Sequence, residues 1–427
     1  MDLEPRPARS RRRPRPSPAE PAPVSSATAV QLSSLLGIAS PATGSPDASC
    51  RPSKEPAVQS PEPKLTPSSY GAVRRTSKPE KTPRVTQSYS TVSKAIRQQG
   101  LLDRTLGFYG SLAAGLLVAL AAAIAGFVLL GDSWFQLFIA AALGVIFTQF
   151  AFLAHEASHR QVLTSGRAND RLGRFLAAGI VGMSYSWWMT KHTRHHANPN
   201  KKGKDPDIDF DTISFTEESA REQRGLLAVI TRKQGYLFFP LLTFEGYNLH
   251  YRSIRSLFAR EKITGRWVEL TMIAVRFAIY LGAIFWMLPL GLAVAFVAVQ
   301  MAVFGVYMGA SFAPNHKGMP LIPADVKLDF FSRQVLTSRN IRGGWWASAL
   351  MGGLNYQIEH HLFPSMPRPH LARAREIIRD YCEAQDVPYT ETSLLESYRI
   401  VIEYLNRVGL QARDPFDCPV AGDFRRR

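Results

Sequence analysis

Seven of the ten histidines in this chain fall into tight groups, and His316 makes an eighth candidate. His155 and His159 stand four apart, and His192, His195 and His196 keep a three-then-one interval. His360 and His361 are adjacent with Gln357 three residues before His360, and His316 lies between the second and third groups. Residues three or four apart share a helix face, so each group can aim its side chains at one ion. Neutral imidazole suits zinc, copper, iron and nickel alike, and ligand type alone does not choose the metal. Number does more. Eight histidines exceed the four ligands of a structural zinc and the three of a catalytic one. They suit two metals with positions left open for oxygen, and two iron ions (Fe2+/Fe3+) are the economical reading.

Other side chains stand close enough in sequence to assist. Glu156 and Glu359 sit beside these histidines, where a carboxylate can orient a ligand's other ring nitrogen. Gln357 and Asn315 are further candidates for direct or supporting contact. No catalytic residue apart from the ligands is expected. Asp205, Asp207, Asp209 and Asp211 alternate after the second group and could supply carboxylate ligands, but read better as a solvated acidic loop that balances Lys201, Lys202 and Lys204. His250 and His370 lack helical partners and read as ordinary interfacial or loop histidines.

The elements that must position these groups are apolar. Leu106 to Leu130 contains no charged residue and is longer than the roughly 20 residues that cross a bilayer core. Trp134 to Ala154 is a second uncharged run, ending directly on His155 after a very short turn. Trp267 to Leu288 and Leu292 to Ala313 form a second pair, joined through Pro289 and Gly291. Glu269 and Arg276 interrupt the first of these; an ionised group at that depth snorkels or faces the bundle interior. The short turns carry no Lys or Arg, whereas the flanking regions are rich in both. The positive-inside rule therefore places both termini and every histidine group on the cytoplasmic side. Leu172 to Thr190 and Leu226 to Leu249, apolar but broken by Arg174 and by Arg232 and Lys233, read as helices lying at the interface. The expected fold is an all-α, multi-pass cell-membrane protein: four transmembrane helices as two hairpins, with a cytoplasmic helical cap carrying a di-iron site.

Composition sets the domain limits. Residues 1–95 are rich in Pro, Ser and Arg with few large apolar residues, and read as a disordered arm. Residues 96–385 form the membrane domain, and 386–427 a cytoplasmic C-terminal helix and tail. A net charge of +17 suits nucleic acid or anionic lipid. The apolar runs favour membrane lipids, and no nucleic-acid partner is expected. Cys50, Cys382 and Cys418 are too far apart for a C-x-x-C site or a disulfide framework.

With these motifs in place, the sequence resembles the membrane-bound fatty-acid desaturases. The matching text is His155-Glu156-Ala157-Ser158-His159, His192-Thr193-Arg194-His195-His196, and Gln357-Ile358-Glu359-His360-His361 followed by Leu362-Phe363-Pro364. Agreement extends over roughly residues 100 to 385. The resemblance implies a di-iron centre on the box histidines, with His316 as an extra ligand after the fourth span. It implies O2 as oxidant, two electrons from outside, and loss of two hydrogens from adjacent methylenes of an acyl-lipid, acyl-CoA or acyl-carrier substrate. Glutamine at the head of the third box resembles desaturases that act between an existing double bond and the carboxyl end. Such relatives often carry a fused haem-binding domain with a His-Pro-Gly-Gly signature, not found here, so a separate donor (ferredoxin, haem protein or reductase) is implied. A tunnel walled by Trp187, Trp188, Trp345, Trp346 and Tyr356 would select the carbons. Rival readings are a di-iron hydroxylase or ketolase of a lipid, sterol or carotenoid, and a membrane metal transporter, which would place its ligands within the spans.

Overall fold

The computed structural model describes residues 86–209, 212–261 and 263–411. Among them the fold is helical apart from a two-residue parallel pairing, β1 (Asn340–Ile341) with β2 (Glu391–Thr392). Helix α1 (Thr86–Gln98) precedes α2 (Leu106–Leu130) and α3 (Gln136–Ser158). Two further long apolar helices come later, α10 (Arg266–Met287) and α11 (Leu290–His316). These four are long and apolar enough to cross a membrane. At 1.5 Å per residue the 25 residues of α2 reach about 37 Å against a hydrocarbon core of about 30 Å.

The four are not equivalent. Over their most apolar stretches α3 is 56% and α11 39% buried, whereas α2 and α10 are 11% and 17% buried. The inner pair carries His155 and His316 in its last turns. The outer pair turns its leucines, valines and isoleucines outward. Between α2 and α3, the buried Gln136 amide donates to Phe127 O (2.6 Å) and Gly131 O (2.9 Å), satisfying carbonyls that the end of α2 leaves open.

The segment between the two pairs is more broken than its apolarity suggests. Where one helix was expected over 172–190, α4 (Gly166–Arg174) runs into a π-helical turn (Phe175–Val181), and Gly182 at φ 97° stops it. Ser184 then caps α5 (Tyr185–Ala197), its Oγ accepting from Trp187 N. After α6 (Glu217–Glu222), the 226–249 stretch divides into α7 (Gly225–Arg232), α8 (Gln234–Leu242) and α9 (Glu245–Leu257). Lys233 separates the first two, with non-helical dihedrals, and Thr243-Phe244 the last two.

Beyond α11 come α12 (Phe330–Leu336), α13 (Gly344–Leu350), α14 (Gln357–Leu362), α15 (Leu371–Ala384) and α16 (Leu394–Gln411). Val401 and Leu405 of α16 share an apolar cluster with Phe238 and Leu242 of α8 and Ala313 of α11. The arm expected over 1–95 is corrected at its end. Residues 86–95 are helical because Val92 and Ile96 bury against Leu371, Ala374 and Ile378, while 1–85 lie outside the described residues.

Helices α9 and α11 cross at a pair of glycines. A Cβ on Gly305 would stand 2.4 Å from Leu242 O and 2.5 Å from Gly246 N, and one on Gly246 2.4 Å from Met301 O. Neither can be accommodated without parting the helices. Gly305→Ala is expected to cost about 1–3 kcal/mol, the range for overpacking a tight core, read as a lower thermal midpoint in detergent. An unchanged midpoint would show that the crossing is looser than described.

Candidate metal centre

The histidines arrive from four helices. His155 lies in the last turn of α3 and His159 caps its C-terminus; His192, His195 and His196 lie on α5; His316 ends α11; His360 and His361 lie on α14. Both span helices thus run further than their uncharged stretches, carrying His155 and His316 inside their final turns.

The structure brings all eight into two adjoining sets. One nitrogen from each of His155, His159, His192, His196 and His360 lies within 4.8 Å of the others, and the same holds for His195, His316 and His361. In the first set His192 Nε2 faces His155 Nε2 at 2.9 Å, His159 Nε2 at 2.9 Å and His196 Nε2 at 3.0 Å. In the second, His316 Nε2 faces His195 Nε2 at 3.3 Å and His361 Nε2 at 3.1 Å. With metal–nitrogen bonds of about 2.1 Å, ligands at right angles stand about 3.0 Å apart and tetrahedral ones about 3.4 Å. The first set therefore suits a crowded five- or six-coordinate ion better than a tetrahedral zinc.

Hydrogen bonds behind the second set fix which nitrogen faces inward. His195 Nδ1–H donates to Asp205 (3.0 and 3.1 Å), His316 Nδ1–H to Thr337 O (2.9 Å) and His361 Nδ1–H to Gln334 Oε1 (2.9 Å). Gln334 has no choice of orientation, because its Nε2 donates to His196 O at 3.0 Å. Each Nε2 is left with a lone pair directed at the others. In the first set His155 Nδ1, His196 Nδ1 and His360 Nε2 are buried without a hydrogen-bond partner. Burial, reinforced by neighbouring rings, holds His192, His196, His360 and His361 well below the usual imidazole range. His195 differs: burial pulls it down, but Asp205 and Asp207 outweigh this and raise it. Convergent, buried rings, most of them held neutral by burial, form a donor set that suits transition-metal ions.

Asp205 is the main residue that sequence reasoning misplaced. Far from being solvated, it is fully buried, and it also accepts from Asn200 N (2.7 Å). Its neighbour Asp207 pairs with Lys191 at 2.7 Å. Asp211 lies outside the described residues. The alternating aspartates carried a usable signal, since a carboxylate a few residues from a ligand histidine can back it. Gln334 and Thr337 had none.

Glu156 and Glu359 do not touch the rings. Glu156 makes a two-point ion pair with Arg368 (2.7 and 2.5 Å) and accepts from Tyr109 Oη (3.2 Å). Glu359 accepts from Asn340 Nδ2 and Tyr389 Oη, each at 2.7 Å, and burial pushes its carboxyl up to about 7. Each fastens a ligand-bearing helix from behind. Glu269 does the same for α5: fully buried, it accepts from Arg174 Nε (3.0 Å), Ser184 Oγ (2.6 Å) and Ser186 Oγ (2.6 Å). Arg276 faces the interior, its guanidinium over the Phe147, Phe277 and Tyr280 rings and its Nε donating to Ile180 O.

Gln357 reaches the second set with Nε2 2.8 Å from His316 Nε2, while its Oε1 accepts from Asn315 Nδ2 at 3.2 Å. His250 and His370 stand apart. His250 is buried on α9 between Gly246 O and Val181 O, and not interfacial; His370 Nδ1 faces Leu101 O.

An apolar cavity abuts the first set, lined by Ala151, Ala154, Ala177, Val181, Met308 and Phe312 together with His155 and Trp188. Trp188 stacks on His192 with ring centroids 4.6 Å apart. Of the five aromatics expected as tunnel walls only Trp188 lines this cavity; Trp345 and Trp346 are exposed and Tyr356 is buried in the cluster around α15.

Residues 132–393 match the family described as fatty acid desaturase, and the chain belongs to that family of metal-dependent oxidoreductases. It is similar to the Delta(8)-fatty-acid desaturase of Helianthus annuus, 30% identical over 318 residues that cover 69% of this chain and 67% of the relative. The acyl-lipid (9-3)-desaturase of Borago officinalis is 28% identical, covering 65% of each chain. The Delta(6)-fatty-acid desaturase of Caenorhabditis elegans is 26% identical, covering 62% of this chain and 63% of its own length. The chain thus spans about two thirds of the length of these relatives.

Asp205→Asn is expected to lower metal affinity by about 10–100-fold, the usual effect of losing a carboxylate behind a ligand histidine. Metal analysis of the purified protein during chelator competition measures this, with His370→Ala as a control that keeps full occupancy. Equal retention in both variants would remove Asp205 from the centre.

Proposed function

We propose that this chain is an oxygen-dependent acyl desaturase that inserts a cis double bond into an acyl chain at a two-iron centre. His155, His159, His192, His196 and His360 would hold one iron, and His195, His316 and His361 the other. The observation that carries the reading is the meeting of two convergent histidine sets with an apolar cavity on the wall of the first. Bound there, the irons would supply the oxidising power, drawn from O2 and two external electrons, that an unactivated methylene demands. The protein's own part is positional. The alanines and Val181 line a small apolar cavity of about 30 Å³ that Phe312 and Trp188 bound and His155 faces; it would have to widen to take a hydrocarbon chain.

The membrane arrangement follows from the same reading. The helices α2 with α3 and α10 with α11 act as two hairpins, and the basic flanks put the histidine end on the cytoplasmic side. The substrate is an acyl-lipid, acyl-CoA or acyl-carrier, and a separate ferredoxin, haem protein or reductase delivers the electrons. The relatives named for Delta(8) and Delta(6) desaturation support a position towards the carboxyl end.

Expression in a host with simple lipids, with double bonds located by mass spectrometry, tests this directly. A new cis double bond is expected, and a hydroxylated product would overturn the desaturase reading in favour of a hydroxylase. Ala177→Phe, which narrows the cavity at a residue outside the proposed ligand set, is expected to abolish desaturation or move it to shorter chains at unchanged metal content. Unaltered products would place the acyl chain elsewhere.

A further inference from the structure

Between Arg342 and Glu359 there is no charged residue, yet α13 at the head of this stretch is mostly exposed. Trp345 is 83%, Trp346 44% and Leu350 41% exposed, with only Ala347 of this helix buried. On a water-facing surface such a run is an unusual apolar patch. Its anchoring points explain it. Gln149 Nε2 on α3 donates to Ala349 O (3.1 Å), and Tyr307 Oη on α11 donates to Leu350 O (2.6 Å).

Those two side chains are deep. Gln149 stands nine residues before Ser158 and Tyr307 nine before His316, so each lies about 13 Å below the histidine end of its helix. From the opposite ends, Gln136 and Leu290, they lie about 20 and 26 Å in, both within a hydrocarbon core of about 30 Å. The chain must therefore descend after β1 and climb back to Gln357. Gly352 and Gly353, at φ 58° and 82°, make the return, and Gly352 presses so close to Phe152 that a Cβ would stand 2.5 Å from its ring. The backbone is provided for: Met351 N donates to Ala347 O and Gly353 N to Ser348 O, and the freed carbonyls take Gln149 and Tyr307. Irregular backbone is tolerated at membrane depth only where it is buried in protein or lines a water-filled cavity, and the non-helical return at Gly352 and Gly353 is buried.

We propose that residues 343–353 form a re-entrant element within the leaflet on the histidine side, its Trp345, Trp346 and Leu350 face packed against lipid acyl chains. This rests on the reading of α2, α3, α10 and α11 as membrane spans. The lipid-facing surface of the protein then extends to the segment that leads directly into the third histidine group.

The test uses the full chain lacking Cys50 and Cys418, with buried Cys382 retained, in phosphatidylcholine vesicles. Nitroxide labels are placed at Trp345→Cys, at Val118→Cys midway along α2, and at Glu383→Cys on α15, and their collisions with O2 and a water-soluble nickel chelate are compared. Position 345 is expected to match 118, favouring oxygen and shielded from nickel. Nickel contact at 345 equal to that at 383, with 118 still shielded, would overturn the proposal and leave this face to water or a protein partner. Nickel contact at 118 as well would instead overturn the spanning reading beneath it. Tyr307→Phe combined with Gln149→Leu is expected to raise nickel contact at 345 and leave 118 unchanged; no rise would overturn the anchoring.

Discussion

Nitrogen lone pairs that point at a common centre repel one another, and this repulsion governs the buried histidines. Where Nδ1–H is committed outward to an acceptor, as in His195, His316 and His361, the tautomer is fixed and Nε2 turns inward unprotonated. Protons do not relieve the crowding near neutral pH, because burial and mutual repulsion hold most of the rings below their ordinary range. A bound cation does. The rest of the fold can be read as the apparatus that holds these rings in an arrangement they would not keep alone.

That apparatus includes buried polar links behind three of the four histidine-bearing helices. Glu156 ties α3 to Arg368, which follows the third histidine group; Glu359 ties α14 to the β1–β2 pairing through Asn340 and to Tyr389; Glu269 ties α5 to α10. Of these, Glu156–Arg368 is a buried ion pair, and removing one member of such a pair typically costs about 3–5 kcal/mol, because the partner's charge stays behind. The links convert helix packing into ring placement. They also explain charges that look out of place in apolar stretches: Glu269 organises the start of α5, and Arg276 takes a carbonyl of the π-helical turn.

Much of this was legible in the residues, for identifiable reasons. The four long helices follow from uncharged runs of more than about 20 residues, a signal that needs no tertiary knowledge. Seven of the eight histidines follow from spacing, because a helix makes neighbours of residues three and four apart, and His316 follows from the resemblance. What supports them was not legible. Gln334 meets His361 from a different helix, Thr337 acts through its carbonyl, which every residue possesses, and Glu156 finds Arg368 across 212 residues of chain. Adjacency in sequence suggested that Glu156 and Glu359 would back histidines, but on a helix successive residues point about 100° apart. The carboxylate beside a ligand thus faces away from the site and towards the scaffold. The broken 172–190 and 226–249 segments were missed for a related reason: Gly182 and Lys233 act locally, whereas apolarity is averaged over a window.

Gln357 is where geometry goes furthest beyond spacing. A histidine at this position would add a ring nitrogen to the second set; glutamine offers either an oxygen that can ligate or an N–H that cannot. Its neighbours choose between them. Asn315 Nδ2 donates to Ser311 O and to Gln357 Oε1, so turning the Gln357 amide over would set two donors face to face. The amide therefore presents Nε2 towards His316, whose Nδ1 is already spent on Thr337 O. On the proposed reading, three imidazoles would hold the second iron, with an N–H donor at the place of a fourth ligand. The two histidine sets differ in kind: five ring nitrogens converge in the first, two of them on rings whose Nδ1 has no partner, and three rings each polarised by an acceptor converge in the second.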